Sequence, residues 1–331
     1  MKKLFGLAAA LALALTGCSN AADAPKSADK APDKVTIGLT YIPNIQFSPI
    51  YMAEANGYFA DAGLDVTIRH HGAQESLFGA LEEGTEDVVF AGADEMMQAR
   101  SSGVKVVNWA TMYQKYPVVL IAPEDSGINS PKDLAGKRVG LPGPYGENYF
   151  GLQAMLRDYQ LEDSVTVDYI GYTQAAALSE KKVDAIIGFQ NNDTIALENA
   201  GIPVKNIPLV ADNLPLIGVG LGSLENNVDE DAYARLLGAI EKGAEDAAKD
   251  SDATIEVTKK YVPSLAEADQ AELAKKVLAA TLELYQGGEV FGQQHEDTWE
   301  AMAKFLAEVG VLEEPVVAKD VYTTKVLEAR N

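Results

Sequence analysis

Short aliphatic and β-branched runs recur along the chain at 35–39, 64–68, 87–91, 104–112, 118–122, 137–141, 165–171, 183–187 and 204–210. Near-continuous apolar runs of this length suit strands buried on both faces, as in parallel sheets. Between them lie segments with helical apolar spacing at 50–56, 74–82, 96–101, 150–159, 172–181 and 194–199. Strands alternating with helices predict βαβ units with right-handed crossovers. Residues 229–327 keep the 3.6-residue period almost throughout and read as packing helices, with Trp299 and Phe305 in a core or interface.

The blocks divide into two lobes. Residues 35–117 form the first and 118–213 the second, and the apolar run Leu214–Leu221 leads residues 214–331 back to complete the first. The chain therefore crosses between lobes twice, near Tyr116-Pro117 and near Pro215, which limits relative motion to a hinge. The expected fold class is α/β, with two lobes joined by a two-crossing hinge.

Loops at the carboxyl ends of strands are where α/β folds bind ligands. The first is Tyr41-Ile-Pro-Asn-Ile-Gln-Phe-Ser-Pro49, braced by Pro43 and Pro49, each of which pushes its preceding residue toward extended geometry. It reads either as one wall of a site, through Tyr41, Asn44, Gln46 and Phe47, or as an ordinary connection. Asp94 and Glu95 read either as helix N-terminal caps or as ligand contacts at the sheet mouth. Further candidates are Gln114 and Tyr116 at the first crossing, and Tyr145, Glu147 and Asn148 in the turn Pro142–Tyr149. Phe189, Gln190, Asn191 and Asn192 complete the set. Tyr113 and Tyr149 add aromatic surface to the same loops. Glu147 and Asp193 read equally as acceptors for ligand hydroxyls or as helix N-terminal charges.

This set is aromatic and amide-rich. Aromatics favour a flat ligand by offset stacking, and side-chain amides can donate to and accept from a heterocycle edge. Lys115 is the only cation in these loops, whereas a sulfonate, phosphate or dicarboxylate calls for a cationic clamp. The turn before Tyr149 lacks a P-loop or dinucleotide fingerprint. His70 and His71, being adjacent, point to opposite sides of a strand and make a poor metal pair. They are expected on the surface or in a loop, with His295 far away in sequence.

Composition narrows the class further. Of 331 residues, 47% are hydrophobic and 23% charged, an ordinary globular balance, and the formal charge is −22. An acidic chain argues against nucleic-acid binding and against a basic face on anionic lipid. The N-terminus carries Lys2, Lys3 and an apolar run, Leu4–Leu15, too short to span a bilayer. That run ends in Leu15-Thr-Gly-Cys18, the only cysteine in the chain, so no internal disulfide and no cysteine metal site are expected. Residues 1–17 thus read as a signal peptide and 18–34, rich in Ala, Asp, Lys, Pro and Ser, as a tether. Removing 1–17 takes away two lysines and no acid, moving the formal charge to −24.

Two resemblances sharpen this picture. Leu15-Thr-Gly-Cys18 resembles the lipobox of bacterial lipoproteins, which implies diacylglyceryl transfer to Cys18, cleavage before it and a lipid anchor on the outer face of the membrane. The first loop, with Gly57-Tyr-Phe, Gly63-Leu-Asp-Val66, Ser130-Pro-Lys-Asp-Leu-Ala-Gly-Lys-Arg-Val-Gly140 and Val183-Asp-Ala, resembles a solute-binding family of ABC importers related to the thiamine-pyrimidine synthase fold. The family implies a type II periplasmic-binding-protein fold, a membrane permease as partner, a monomer, no cofactor and no catalysis in the importer branch. Within it, Tyr41–Phe47, Tyr113–Pro117 and Pro142–Gly146 look most like the riboflavin-binding members, which implies riboflavin as transported ligand. Members that bind a thiamine pyrimidine precursor typically begin Trp-Thr-Pro-Asn-Thr-Asn-His, where this chain has Tyr41 and Phe47. The synthase branch carries a cysteine-rich motif and a histidine that the first loop here lacks. Pyrimidine-precursor binding and pyrimidine synthesis remain the alternatives.

Overall fold

In the computed structural model, residues 31–40, 42–72, 75–171 and 173–330 are described. The expected signal peptide, Cys18 and most of the tether lie outside these residues, as do Tyr41, Gln74 and Tyr172.

The first lobe runs β1 (Asp33–Leu39), α1 (Ser48–Ala55), α2 (Tyr58–Asp61), β2 (Leu64–His70), α3 (Gly79–Glu82), β3 (Val88–Gly92), α4 (Ala93–Ser101) and β4 (Val106–Thr111). The chain then crosses into β5 (Val118–Pro123), β6 (Arg138–Leu141), α5 (Gly146–Tyr159), β7 (Thr166–Tyr169), α6 (Gln174–Ser179), β8 (Ala185–Phe189), α7 (Asp193–Asn199) and β9 (Val204–Ile207). It returns through β10 (Val219–Leu224) and ends in α8 (Glu230–Lys249), α9 (Ser251–Thr258), α10 (Ala268–Leu284), α11 (Glu296–Glu308) and α12 (Lys325–Glu328).

The two five-stranded sheets are ordered β2-β1-β3-β10-β4 and β7-β6-β8-β5-β9. In each, four strands run one way, and the strand that follows a crossing is inserted antiparallel among them: β10 between β3 and β4, β5 between β8 and β9. In both sheets the antiparallel strand is thus the last but one, next to an edge. That arrangement fixes both crossings, 112–117 and 208–218, side by side as the hinge. Every residue of β3 and β4 is buried, as their unbroken apolar runs require.

Residues Ile37, Leu39, Phe47, Ile50 and Tyr51 pack with Trp109, Leu236 and Ile240 in the first core. Burying each such side chain contributes roughly 1.5–3 kcal/mol. The second lobe has its own core around Leu120, Val139, Met155 and Ile187. A third cluster joins Ala93 and Met97 of α4 to Phe150 and Ala154 of α5 and to Trp299 and Met302 of α11. Trp299 and Phe305 are accordingly buried.

Three expectations change. The helix expected at 74–82 shortens to α3, because Glu75 turns back to accept from the Gly72 amide and to pair with Arg69. His71 is buried, not a surface residue, with Nε2 2.9 Å from Glu86 Oε1; His70 lies against Tyr51, Nε2 to hydroxyl 2.6 Å. The C-terminal helices pack on the first lobe and also reach the second: α8 and α9 pack on α1, α10 on the turn before α1 and on α7, and α11 on α4, with Arg157 of α5 paired to Glu308 of α11.

Candidate functional site

Helices α4 and α5 each follow a parallel strand, β3 and β6, and begin at the carboxyl end of their sheet. The hinge brings these two starts together. α5 begins at Gly146, earlier than the sequence suggests, so Glu147 and Asn148 lie in its first turn. Gly146 has φ +69°, and a Cβ there would stand 3.1 Å from Glu95 Oε1. Glycine therefore lets the second lobe's loop close on the first lobe's carboxylate.

Asp94 is fully buried with both oxygens engaged. Oδ1 accepts from the Glu95 amide at 2.8 Å and Oδ2 from the Tyr116 hydroxyl at 2.7 Å, while the same hydroxyl lies 3.0 Å from the Glu147 carbonyl oxygen. Glu95 reaches back to the Gly92 amide at 3.0 Å, so both acids cap α4, as one of the two sequence readings holds. Glu147 is different. Its carboxyl is buried, and Oε1 has no hydrogen-bond partner among the described residues. The hydroxyls of Tyr113 and Tyr285 share that condition, with the two rings edge to face at 5.3 Å. Asn191 donates through Nδ2 to Thr281 Oγ1 at 2.9 Å, leaving Oδ1 unpartnered and linking the second lobe to α10.

Burial pushes the Asp94, Glu95 and Glu147 carboxyls up from the ordinary range, and mutual repulsion adds to this for Asp94 and Glu147. Burial likewise pushes the Tyr113 and Tyr116 hydroxyls up, with Tyr285 and Glu147 adding to Tyr113 and Asp94 to Tyr116. No lysine or arginine among the described residues pairs with these three acids. The arrangement offers acceptors and neutral hydroxyls to a ligand that brings hydrogen-bond donors.

Of the other sequence candidates, Asn44 caps a 3-10 turn through Oδ1 to the Gln46 amide at 3.1 Å, and Gln46 is half-buried. Tyr145 is exposed, its ring lying over Gly143. Phe189, Gln190 and Asn192 are half-buried at the mouth of the second sheet. Four candidates are engaged by the scaffold, although one of them, Gln114, also lines the cavity beside Tyr113. Phe47 is a core residue, edge-on to Tyr51, His70 and Phe90, because the 3-10 turn directs it inward. Gln114 donates to the Thr111 and Gln293 carbonyls at 2.7 and 3.1 Å, which ties the hinge to the segment before α11. Asn148 donates to the Ile187 carbonyl at 3.1 Å, pinning α5 to β8. Asp193 accepts from the Phe189 amide at 2.8 Å and is a helix-start charge. Tyr285 was not legible as a candidate, since it ends a helix that reads only as packing; the Gly287-Gly288 stop after it is the one local signal.

A cavity of about 70 Å³ lined by Tyr113, Tyr116, Gly218 and His295 adjoins this cluster. Away from the hinge, His71, Glu75 and Glu86 place ligand atoms within 4.8 Å of one another. Arg69 already bonds both carboxylates, 2.6 Å to Glu86, and takes the place a cation would fill.

The sequence signature of the NMT1/THI5-like family matches residues 44–254. The chain is 30% identical to the riboflavin-binding protein RibY of Chloroflexus aurantiacus, over 92% of this chain and 89% of that one. It is 27% identical to the formylaminopyrimidine-binding protein of Halalkalibacterium halodurans, over 90% and 92% of the two chains. Among solved structures, the periplasmic aliphatic sulphonate binding protein SsuA of Escherichia coli superposes with a TM-score of 0.70 at 16% identity, covering 87% of this chain and 91% of the other. The two lobes, their interleaved sheets and the hinge are thus those of the periplasmic-binding-protein fold, and the chain belongs to the NMT1/THI5-like family.

Proposed function

We propose that this protein captures riboflavin for an ABC importer, held at the outer face of the membrane by lipid on Cys18 and delivering its ligand to a permease as a monomer without a cofactor. The observation that carries this reading is the cleft itself: unpartnered buried acceptors and tyrosine hydroxyls between the lobes, with no paired cation among the described residues. A neutral, flat, donor-bearing molecule meets those groups, and an anion does not. The riboflavin-binding relative, aligned over nearly the whole chain, supports the same ligand. The likeness to a sulphonate-binding structure extends to the fold only.

A second reading, a thiamine pyrimidine precursor, is favoured by the formylaminopyrimidine-binding relative and by buried carboxyls that suit an amino group. A synthase would need a nucleophile or metal-ligand set. The one cysteine lies at position 18, and His71 and Glu86 are bound to each other. Titrating the purified full-length protein into riboflavin should quench flavin fluorescence saturably, with sub-micromolar affinity. Absence of quenching, together with tight binding of an aminopyrimidine, would replace the first ligand by the second.

A further inference from the structure

We infer that the carboxyl of Glu147, with the hydroxyl of Tyr113, forms a donor-reading subsite that admits the neutral form of the ligand and refuses its phosphate ester. The inference rests on the proposed capture of a flavin and specifies which groups of this chain choose it.

Glu147 is 7% exposed and Tyr113 3% exposed. A carboxyl oxygen and a hydroxyl buried to that degree ordinarily have partners, because leaving each unmade costs about 1–3 kcal/mol. Here both Glu147 Oε1 and the Tyr113 hydroxyl have none among the described residues. Both residues approach Gly218, where an added Cβ would lie 3.7 Å from Glu147 Oε1 and 3.5 Å from the Tyr113 Cβ, and Tyr113 and Gly218 line the cavity beside them. The neighbouring acids do not compete for a ligand. Asp94 is held by Tyr116 and the Glu95 amide, and Glu95 by the Gly92 amide. Glu147 is therefore the acid left free to accept, and the Tyr113 hydroxyl is free both to accept and to donate.

A ring N–H or a polyol hydroxyl satisfies this pair. A phosphate brings negative charge into a buried site where three carboxyls lie close and no lysine or arginine among the described residues pairs with them. The test uses the full-length protein and its Glu147→Gln variant with two pairs of probes: riboflavin and riboflavin 5′-phosphate, and a hydroxymethyl aminopyrimidine and its phosphate. Wild type should prefer the neutral member of the binding pair by about tenfold or more. Glu147→Gln should weaken the neutral ligand by about 10–100-fold and shrink that preference, since an amide that both donates and accepts no longer selects for a donor-bearing ligand. A purely structural role would weaken both members alike and leave the ratio unchanged, which overturns the inference, as does equal binding of both members by wild type. If only the pyrimidine pair binds, the flavin reading fails while the subsite is judged on that pair. Binding of neither overturns both. Should Glu147→Gln not fold, Tyr113→Phe keeps the ring and removes only the unpartnered hydroxyl. It should lose about tenfold in affinity for the neutral ligand, and unchanged affinity again overturns the subsite.

Discussion

Glu86 shows how a buried charge is tolerated away from the cleft. Its side chain is wholly buried, and a Cβ on Gly38 would fall on its carboxylate, so β1 carries glycine where that carboxyl crosses. Arg69 bonds it at 2.6 Å and His71 at 2.9 Å, joining the end of β2 to the segment before β3. Removing one member of such a set leaves the others desolvated and unpaired. Glu86→Ala should lower stability by roughly 2–3 kcal/mol, less than a fully buried pair would lose because Arg69 is 30% exposed. Urea unfolding measures this, and a loss under about 0.5 kcal/mol would show the network to be idle. At this scale the sequence was only half legible. Types were readable: aromatics and amides gather in loops, and cations are scarce there. Direction was not. Phe47 turns inward and Gln114 bonds backbone, because which way a loop side chain points depends on tertiary contacts that no local pattern encodes. His71 was misplaced for the same reason, since its partner lies fifteen residues on.

At the scale of elements, strands were legible and short helices were not. Each apolar run overlaps one of the strands β1 to β9, because burial on both faces leaves a continuous signal, though some runs stop short of an observed end, as in β1, β2 and β5. α3 has only one turn, too little for periodicity to define, and its upstream half is diverted by Glu75. α8 poses a sharper question of packing against propensity. It carries two glycines, and alanine at either raises intrinsic helix propensity by about 1 kcal/mol. Around Gly238 nothing lies within 4 Å of an added Cβ, so Gly238→Ala should stabilise by about 0.5–1 kcal/mol. At Gly243 the same Cβ would fall on the Pro49 carbonyl oxygen and 2.9 Å from the Ala53 amide nitrogen, both backbone atoms of α1. Backbone cannot rotate aside, so α1 and α8 must separate, and Gly243→Ala should cost about 1–3 kcal/mol despite the propensity gain. Denaturation midpoints of the two variants should move in opposite directions; a shared upward shift would mean the helices do not approach at Gly243.

For the whole molecule, the two-crossing plan was legible from the placement of strands and prolines, while the bridging by α10 and α11 was hidden, since amphipathic spacing says that a helix packs and not on what. The distribution of carboxyls across the assembled lobes sets a pH dependence that follows from their shifts. Burial raises Asp94, Glu95 and Glu147 at the junction and raises Asp193 from 3.8 to about 6. A group whose folded value is raised binds more protons folded than unfolded. Its stabilisation is complete below the unfolded value and lost as pH climbs through the folded one, for Asp193 between 3.8 and about 6. Surface acids held low by partners, Glu75 by the Gly72 amide and Arg69, Asp133 by the Asn129 and Ser130 amides, act oppositely and fail only under stronger acid. A formal charge of −22 adds self-repulsion as the remaining acids ionise. Stability should therefore peak on the acid side of neutrality and decline as pH rises. Asp193→Asn keeps an acceptor for the Phe189 amide and removes the titration, so it should flatten the part of the decline between 3.8 and about 6. Urea unfolding of wild type and variant across that range reads the difference directly; parallel curves would mean that the Asp193 carboxyl is as well solvated folded as unfolded.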